Sequence, residues 1–217
     1  LFINENHRNL AEKYKSKIRK ITFLDQKDFK KIYGGENSTQ SIVLKTKDFE
    51  RPSLAQFIKN EDLEDKSVIL ALDQITDPQN IGSIMRSSAL FNCKGIIVAK
   101  DNSPDLTPSL FKAASGAAEI INFFKVTNLK RSISDLKKYG YWVYGFDSSD
   151  EKQSPGIKFS KKSILVFGSE GKGMRELVKK ECDELIKINM KPNKEFGIDS
   201  LNVSNATAIA LYEFYKS

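Results

Sequence analysis

Histidine occurs once in this chain, at position 7, and cysteine only twice, at positions 93 and 182. A single imidazole rules out a metal site built from several histidines, and its place near the start of the chain argues against a Ser-His-Asp triad. Neither cysteine has a partner at metal-ligand spacing, so no metal is expected, and both read as reduced, buried thiols. Long apolar runs are missing too. No window approaches the roughly 18 residues a membrane-spanning helix needs, and the opening LFINENHRNLAEKYK has no apolar core of signal-peptide type. A cytoplasmic protein with no membrane partner is the expectation. There is no G-x-G-x-x-G after the first strand and no G-x-x-x-x-G-K-[ST], which argues against an ordinary dinucleotide fold and a P-loop nucleotidase. No internal repeat or low-complexity tract is present. The chain starts at Leu1 rather than Met, which reads as a piece of a longer protein.

What is present suits a globular protein: 217 residues, 40% of them apolar and 29% charged. That length is enough for one large domain, or one ordinary domain with a small one. The formal charge is +7, and residues 1–31 hold nine Lys/Arg against four Asp/Glu. A polyanion such as nucleic acid is one reading of that excess, and a solvated lysine-rich surface is the other. Charge alone does not decide between them.

SVILALD (67–73), KGIIVAK (94–100), YWVYGFD (141–147) and SILVFGS (163–169) are short apolar runs rich in Val, Ile and aromatics. Bounded by polar residues or glycine, they read as buried strands. Between and after them lie helical patterns. NIGSIMRSSALF (80–91) sets Ile81, Ile84, Met85 and Ala89 near one face, behind an Asp77-Pro78 start signal. LKRSISDLKKYG (129–140), GMRELVKKECDELI (173–186) and NVSNATAIALYEFYK (202–216) read as further helices. Strand alternating with helix predicts an α/β domain with a mainly parallel sheet over 67–217. Residues 49–66 read as a linker, and 1–48 hold a helix candidate, NLAEKYKSK, with strand candidates KITFLD and SIVLKTK.

Ligands of doubly wound sheets sit at the carboxyl ends of strands. Three polar clusters fall there: DQITDPQNIGSIMRSS (73–88), GSEGKGM (168–174) and IDSLNVSNATA (198–208). Each has a plain reading. Arg86 is a surface charge, the glycines make a tight turn, and Ser200, Asn202, Ser204 and Asn205 cap a helix. The functional reading is a small molecule held against bare backbone between strand and helix.

N-I-G-S-I-M-R-S-S-A at 80–89, L-V-F-G-S-E-G-K-G-M at 165–174 and S-L-N-V-S-N-A-T-A at 200–208 resemble, in order and spacing, the three motifs of the SpoU (TrmH) family. These are SPOUT-class RNA 2'-O-ribose methyltransferases. SGAAEIINFFKVTN (115–128) and ECDELIKI (181–188) are most similar to the RlmB branch, which methylates a guanosine in 23S rRNA. The resemblance implies an α/β fold with a SPOUT-type parallel sheet, helices on both faces and a C-terminal deep trefoil knot, an exception to the rule that chains are unknotted. It implies that residues 1–48 are part of a small L30e-like RNA-binding domain. It also implies S-adenosylmethionine as cofactor, RNA as partner and an active site completed across a homodimer. Cofactor contacts carry over to Gly168, Ile188 and Leu201, with Gly168 letting the cofactor approach bare backbone. Asn80, Arg86, Glu170, Ser200 and Asn202 match the polar functional positions. One departure is NMKPNKEFGID (189–199), longer than the family's usual link, with Asn189 where proline is common.

Methyl transfer to a ribose 2'-hydroxyl needs a held donor, an oriented oxygen and a destination for the proton. Arg86, with a guanidinium pKa above roughly 12, suits gripping a phosphate and stabilising a developing oxyanion better than acting as base. Glu170 is the expected proton acceptor or loop organiser, with Asn80, Ser200 and Asn202 orienting the ribose and Arg86. A tRNA substrate, or a non-catalytic RNA-binding or ribosome-assembly role, stays open on the sequence.

Overall fold

A computed structural model describes residues 1–33, 41–47, 51–60, 66–147, 158–191, 193–196 and 199–217. By its internal packing the chain divides into two units, Leu1–Glu50 and Arg51–Ser217.

The first unit has β1 (Phe2–Asn4), α1 (Arg8–Lys13), β2 (Thr22–Leu24), α2 (Gln26–Tyr33) and β3 (Ile42–Val43). Its three-stranded sheet runs β2-β1-β3, with β1 parallel to β2 and antiparallel to β3. Ile3, Ala11 and Phe29 form its buried centre. The helix and both strand candidates of this region are found, trimmed at their ends. β1 and α2 have no counterpart in the sequence reading.

The second unit contains α3 (Leu54–Asn60), β4 (Ser67–Leu72), α4 (Pro78–Leu90), β5 (Gly95–Ala99), α5 (Pro108–Ala114), β6 (Asn122–Val126), α6 (Leu129–Lys137), β7 (Trp142–Phe146), β8 (Lys162–Phe167), α7 (Glu176–Lys179), β9 (Glu184–Ile186) and α8 (Val203–Lys216). The six-stranded sheet has the order β6-β5-β4-β8-β7-β9, and every neighbouring pair is parallel. A parallel sheet needs cover on both faces, and the strands supply it by alternation. Val68, Leu70, Leu72, Ile96 and Val98 face a core shared with Ile81 and Ile84 of α4, Leu110 of α5 and Leu211 of α8. Ile69, Ala71 and Ile97 point the other way, toward Ile58 of α3, Ile133 of α6 and Val178 of α7. Every residue of β4 is buried, as its unbroken apolar run predicts.

Two expectations are corrected. GMRELVKKECDELI is not one helix: α7 covers only Glu176–Lys179, and the chain then turns into β9. Tertiary contacts override local helix propensity there. Asp183 N–H donates to the Val143 carbonyl at 2.8 Å, its carboxylate pairs with Lys137 at 2.6 Å, and β9 registers on β7. Nor are all of residues 49–66 free linker. Phe57 of α3 packs against Phe124 with ring centroids 5.0 Å apart and the rings tilted by 51°, and the Arg51 guanidinium donates to the carbonyls of Ala118 and Ile121. Residues 48–50 and 61–65 lie outside the described part, as do 192, 197 and 198 of the 189–199 link. Among the described residues no helix is long and apolar enough to cross a membrane, and no cluster of His, Cys, Asp or Glu could hold a metal ion.

Candidate active site

The turn after β8 is built by three glycines with different jobs. Ser169 and Gly173 pair across it, with Ser169 N–H to the Gly173 carbonyl at 3.1 Å and Gly173 N–H to the Ser169 carbonyl at 2.9 Å. Gly171 and Gly173 take φ of +83° and +66°, which close the turn and are strained for other residues. Gly168 is required for space instead. A Cβ there would sit 2.0 Å from the Gly173 carbonyl carbon and 2.2 Å from the Met174 nitrogen. The demand for glycine at 168 thus comes from the turn's own backbone.

The turn is fastened to β4 by a buried acid. Asp73, fully buried at the end of that strand, accepts from Arg175 N–H at 2.8 Å and Arg175 Nε at 2.9 Å. Its own N–H donates to the Phe167 carbonyl at 2.8 Å. A buried carboxylate persists only when its charge and lone pairs are met, and among the described residues this one is met by Arg175, in the segment that carries the turn.

Asn202 is the N-cap of α8, its Oδ1 accepting from Ser204 N–H at 2.9 Å. Its Nδ2 donates to Asn80 Oδ1 at 2.9 Å and to Glu170 Oε1 at 2.8 Å. Glu170 Oε1 also accepts the Val203 N–H at 3.2 Å, placing a negative charge at the positive end of α8. Asn80 is held in the first turn of α4, whose N-cap Asp77 accepts from Gln79 N–H. So one residue from each motif meets at a single point. Among the described residues Glu170 Oε2 has no partner.

Beside this point lies a cavity of about 450 Å³ at the carboxyl ends of β7, β8 and β9, closed by the start of α8. Gly168, Glu170, Ile188, Ser200 and Leu201 all line it, so the cofactor positions and two of the polar ones share one space. Phe146 and Phe167, stacked with centroids 4.7 Å apart, form part of the wall. Ser200 stands aside from the Asn202 point, its hydroxyl donating to Asp199 Oδ1 at 3.0 Å. Arg86 does not line the cavity. It is exposed on α4 and makes no hydrogen bond or ion pair among the described residues. Six residues beyond Asn80, it lies about 120° round the helix and about 9 Å along it.

Sequence reasoning assigned no role to Asp73, Arg175, Asp147 or Lys187. A signal was available for the acids. SVILALD and YWVYGFD are apolar runs that end in aspartate at the sheet's carboxyl edge, where a charge is not there to fill the core. Asp147 lines the cavity and pairs with Lys179 at 2.7 Å.

The chain matches the SpoU rRNA Methylase family over residues 67–212. It is 34% identical to the 23S rRNA (guanosine-2'-O-)-methyltransferase RlmB of Coxiella burnetii, over all of this chain and 86% of that one. With the protein of the same name from Pseudomonas putida it shares 39% over 70% of this chain and 60% of that one. The fold superposes on the SpoU methyltransferase AviRb from Streptomyces viridochromogenes, solved in complex with the cofactor AdoMet, with a TM-score of 0.81 at 18% identity over 99% and 81% of the two chains. With the three motifs meeting at one point beside the cavity, and a match spanning the whole sheet as far as α8, this chain belongs to the SpoU rRNA methylase family.

Proposed function

We propose that this protein transfers a methyl group from S-adenosylmethionine to the 2'-oxygen of an RNA ribose, that of a guanosine in 23S rRNA. The observation that carries the proposal is the meeting of Asn80, Glu170 and Asn202 beside a cavity lined by Gly168, Glu170, Ile188 and Leu201. Its volume falls within the range of small-molecule sites, and its walls combine apolar side chains, glycine backbone and a helix N-terminus. Those residues fit a nucleoside with a charged tail. When bound, the cofactor supplies an electrophilic methyl on a sulfonium.

The chain's own groups do the rest. Asn202, itself held by Asn80, fixes Glu170, whose Oε2 accepts the 2'-hydroxyl proton as the oxygen attacks. Ser200, at the cavity wall, orients the ribose. Arg86 lies round the helix from its own chain's Asn80 and has no partner among the described residues. It serves the cavity of a second copy in a homodimer, gripping the phosphate next to the target ribose. Exposed apolar side chains beside it support that contact: Leu90 on α4, and Tyr212 and Tyr215 on α8. The C-terminal segment from β9 into α8 forms the trefoil knot, and residues 1–48 are part of an L30e-like RNA-binding domain. A substrate in the ribosome places the protein in the cytoplasm.

The test is transfer of labelled methyl from S-adenosylmethionine to rRNA and, separately, to tRNA, with nuclease digestion to identify the product. 2'-O-methylguanosine from 23S rRNA is expected. Label in tRNA alone replaces the substrate, and no label in either leaves an RNA-binding role.

A further inference from the structure

We infer that Lys187 binds the α-carboxylate of the cofactor. This rests on S-adenosylmethionine being the occupant of the cavity. Lys187 follows directly on β9, between Ile186 and Ile188, and all three line the cavity. A lysine on a free surface keeps its ammonium in water. This one is half-buried, and among the described residues its ammonium makes no ion pair or hydrogen bond. Two other half-buried lysines of the same region are matched, Lys179 with Asp147 at 2.7 Å and Lys137 with Asp183 at 2.6 Å. An unmatched, partly desolvated cation in a cavity wall calls for an anion from the ligand.

The charges of the wall identify that anion. Among the described residues, Asp147, Glu170, Lys187 and Asp199 are the ionisable ones that line it. Lys179 neutralises Asp147, which leaves two acids and one cation among the described lining residues. S-adenosylmethionine carries the mirror pattern: a sulfonium and an ammonium, both positive, and a single carboxylate. A backbone phosphate of RNA is the competing anion for the same ammonium.

Calorimetric titration without RNA separates the two. The ligands are S-adenosylmethionine and its decarboxylated analogue, which keeps both positive charges. Wild type is expected to prefer the carboxylated ligand by about tenfold or more, the worth of one charge-assisted contact. Lys187→Met keeps the aliphatic stem. It should bind the two ligands alike, at the level of the analogue. Lys187→Arg, which retains the charge, should keep most of the preference and shows that the site still folds. A Lys187→Met protein that preserves the preference, or that weakens both ligands equally, overturns the assignment. So does unchanged cofactor binding with a raised KM for RNA, which moves the lysine to the RNA backbone. Failure of wild type to bind S-adenosylmethionine would sink the cofactor reading itself, before any variant is compared.

Discussion

Adding one methyl group at Gly168 should break the turn after β8. The new Cβ would lie 2.0 Å from the Gly173 carbonyl carbon, 2.2 Å from the Met174 nitrogen and 2.3 Å from the Gly173 oxygen, whereas ordinary contact begins near 3.4 Å. The obstacle is backbone, so no rotamer change relieves it, and the strands of the turn must separate by about 1.4 Å. That distance is enough to part the two hydrogen bonds between Ser169 and Gly173. Overpacking costs about 1–3 kcal/mol and each lost hydrogen bond about 1 kcal/mol, so Gly168→Ala should lose roughly 3–5 kcal/mol. Urea unfolding measures this as a lower midpoint at unchanged slope, and calorimetry with S-adenosylmethionine reports the damage to the cavity. Gly171→Ala is the control. Its φ of +83° is strained for alanine, but nothing lies within 4 Å of the new methyl, so only about 1–2 kcal/mol of backbone strain is expected. A Gly168→Ala protein within about 0.5 kcal/mol of wild type, with cofactor binding intact, would refute the account of why glycine stands there.

Arg86→Lys should lower methyl transfer at least tenfold with cofactor binding unchanged, because an ammonium cannot reproduce the planar fork of a guanidinium. Mixing and refolding an Arg86→Ala protein with an Asn202→Ala protein should restore activity to about a quarter of wild type, since half the dimers are mixed and each of these has one intact site; no recovery in the mixture argues that Arg86 serves its own chain. Arg175→Met leaves the buried Asp73 carboxylate with one backbone donor, the N–H of residue 175, among the described residues and should cost about 2–3 kcal/mol in urea unfolding, less than a fully buried pair because Arg175 is itself partly exposed. Burial, and then the Asp183 charge, push the Cys182 thiol from 9.0 up to about 12. Raised in the folded state, this group contributes stability that is complete below pH 9 and is lost as pH climbs toward 12, by up to about 1.4 kcal/mol per pH unit. Urea midpoints at pH 8 and pH 10.5 should therefore fall less in Cys182→Ala than in wild type, and equal falls would refute the cause.

Legibility varied with how local the determining physics is. The strands over 67–73, 94–100, 141–147 and 163–169 were readable because a strand covered on both faces must be apolar throughout, and little else of that length is. α4 and α8 were readable from their caps, Asp77 and Asn202. The failures share a cause. β6 and β9 are a five- and a three-residue strand whose sequences carry charges, NFFKV and ELI after two acids. They are strands because β5 and β7 offer unpaired edges, a fact that exists only after the sheet has formed. Likewise α3 is helical and docked because Phe57 finds Phe124, more than sixty residues away.

The polar site shows the same division within a single side chain. Read locally, Asn202 is a helix cap, and its Oδ1 does accept from Ser204 N–H. Read in three dimensions, the other half of the same amide donates to Glu170 and Asn80. Serine at this position would cap the helix equally well but has one proton to give. Aspartate would cap it too, and would set a second negative charge against Glu170. An amide accepts on one side and donates twice on the other, so it alone among the common caps closes the helix and joins the three motifs. The capping reading and the functional reading are therefore not rivals at this residue. The helix start is where residues of the three motifs are joined, because the cap is what ties the segment after β9 to the turn after β8.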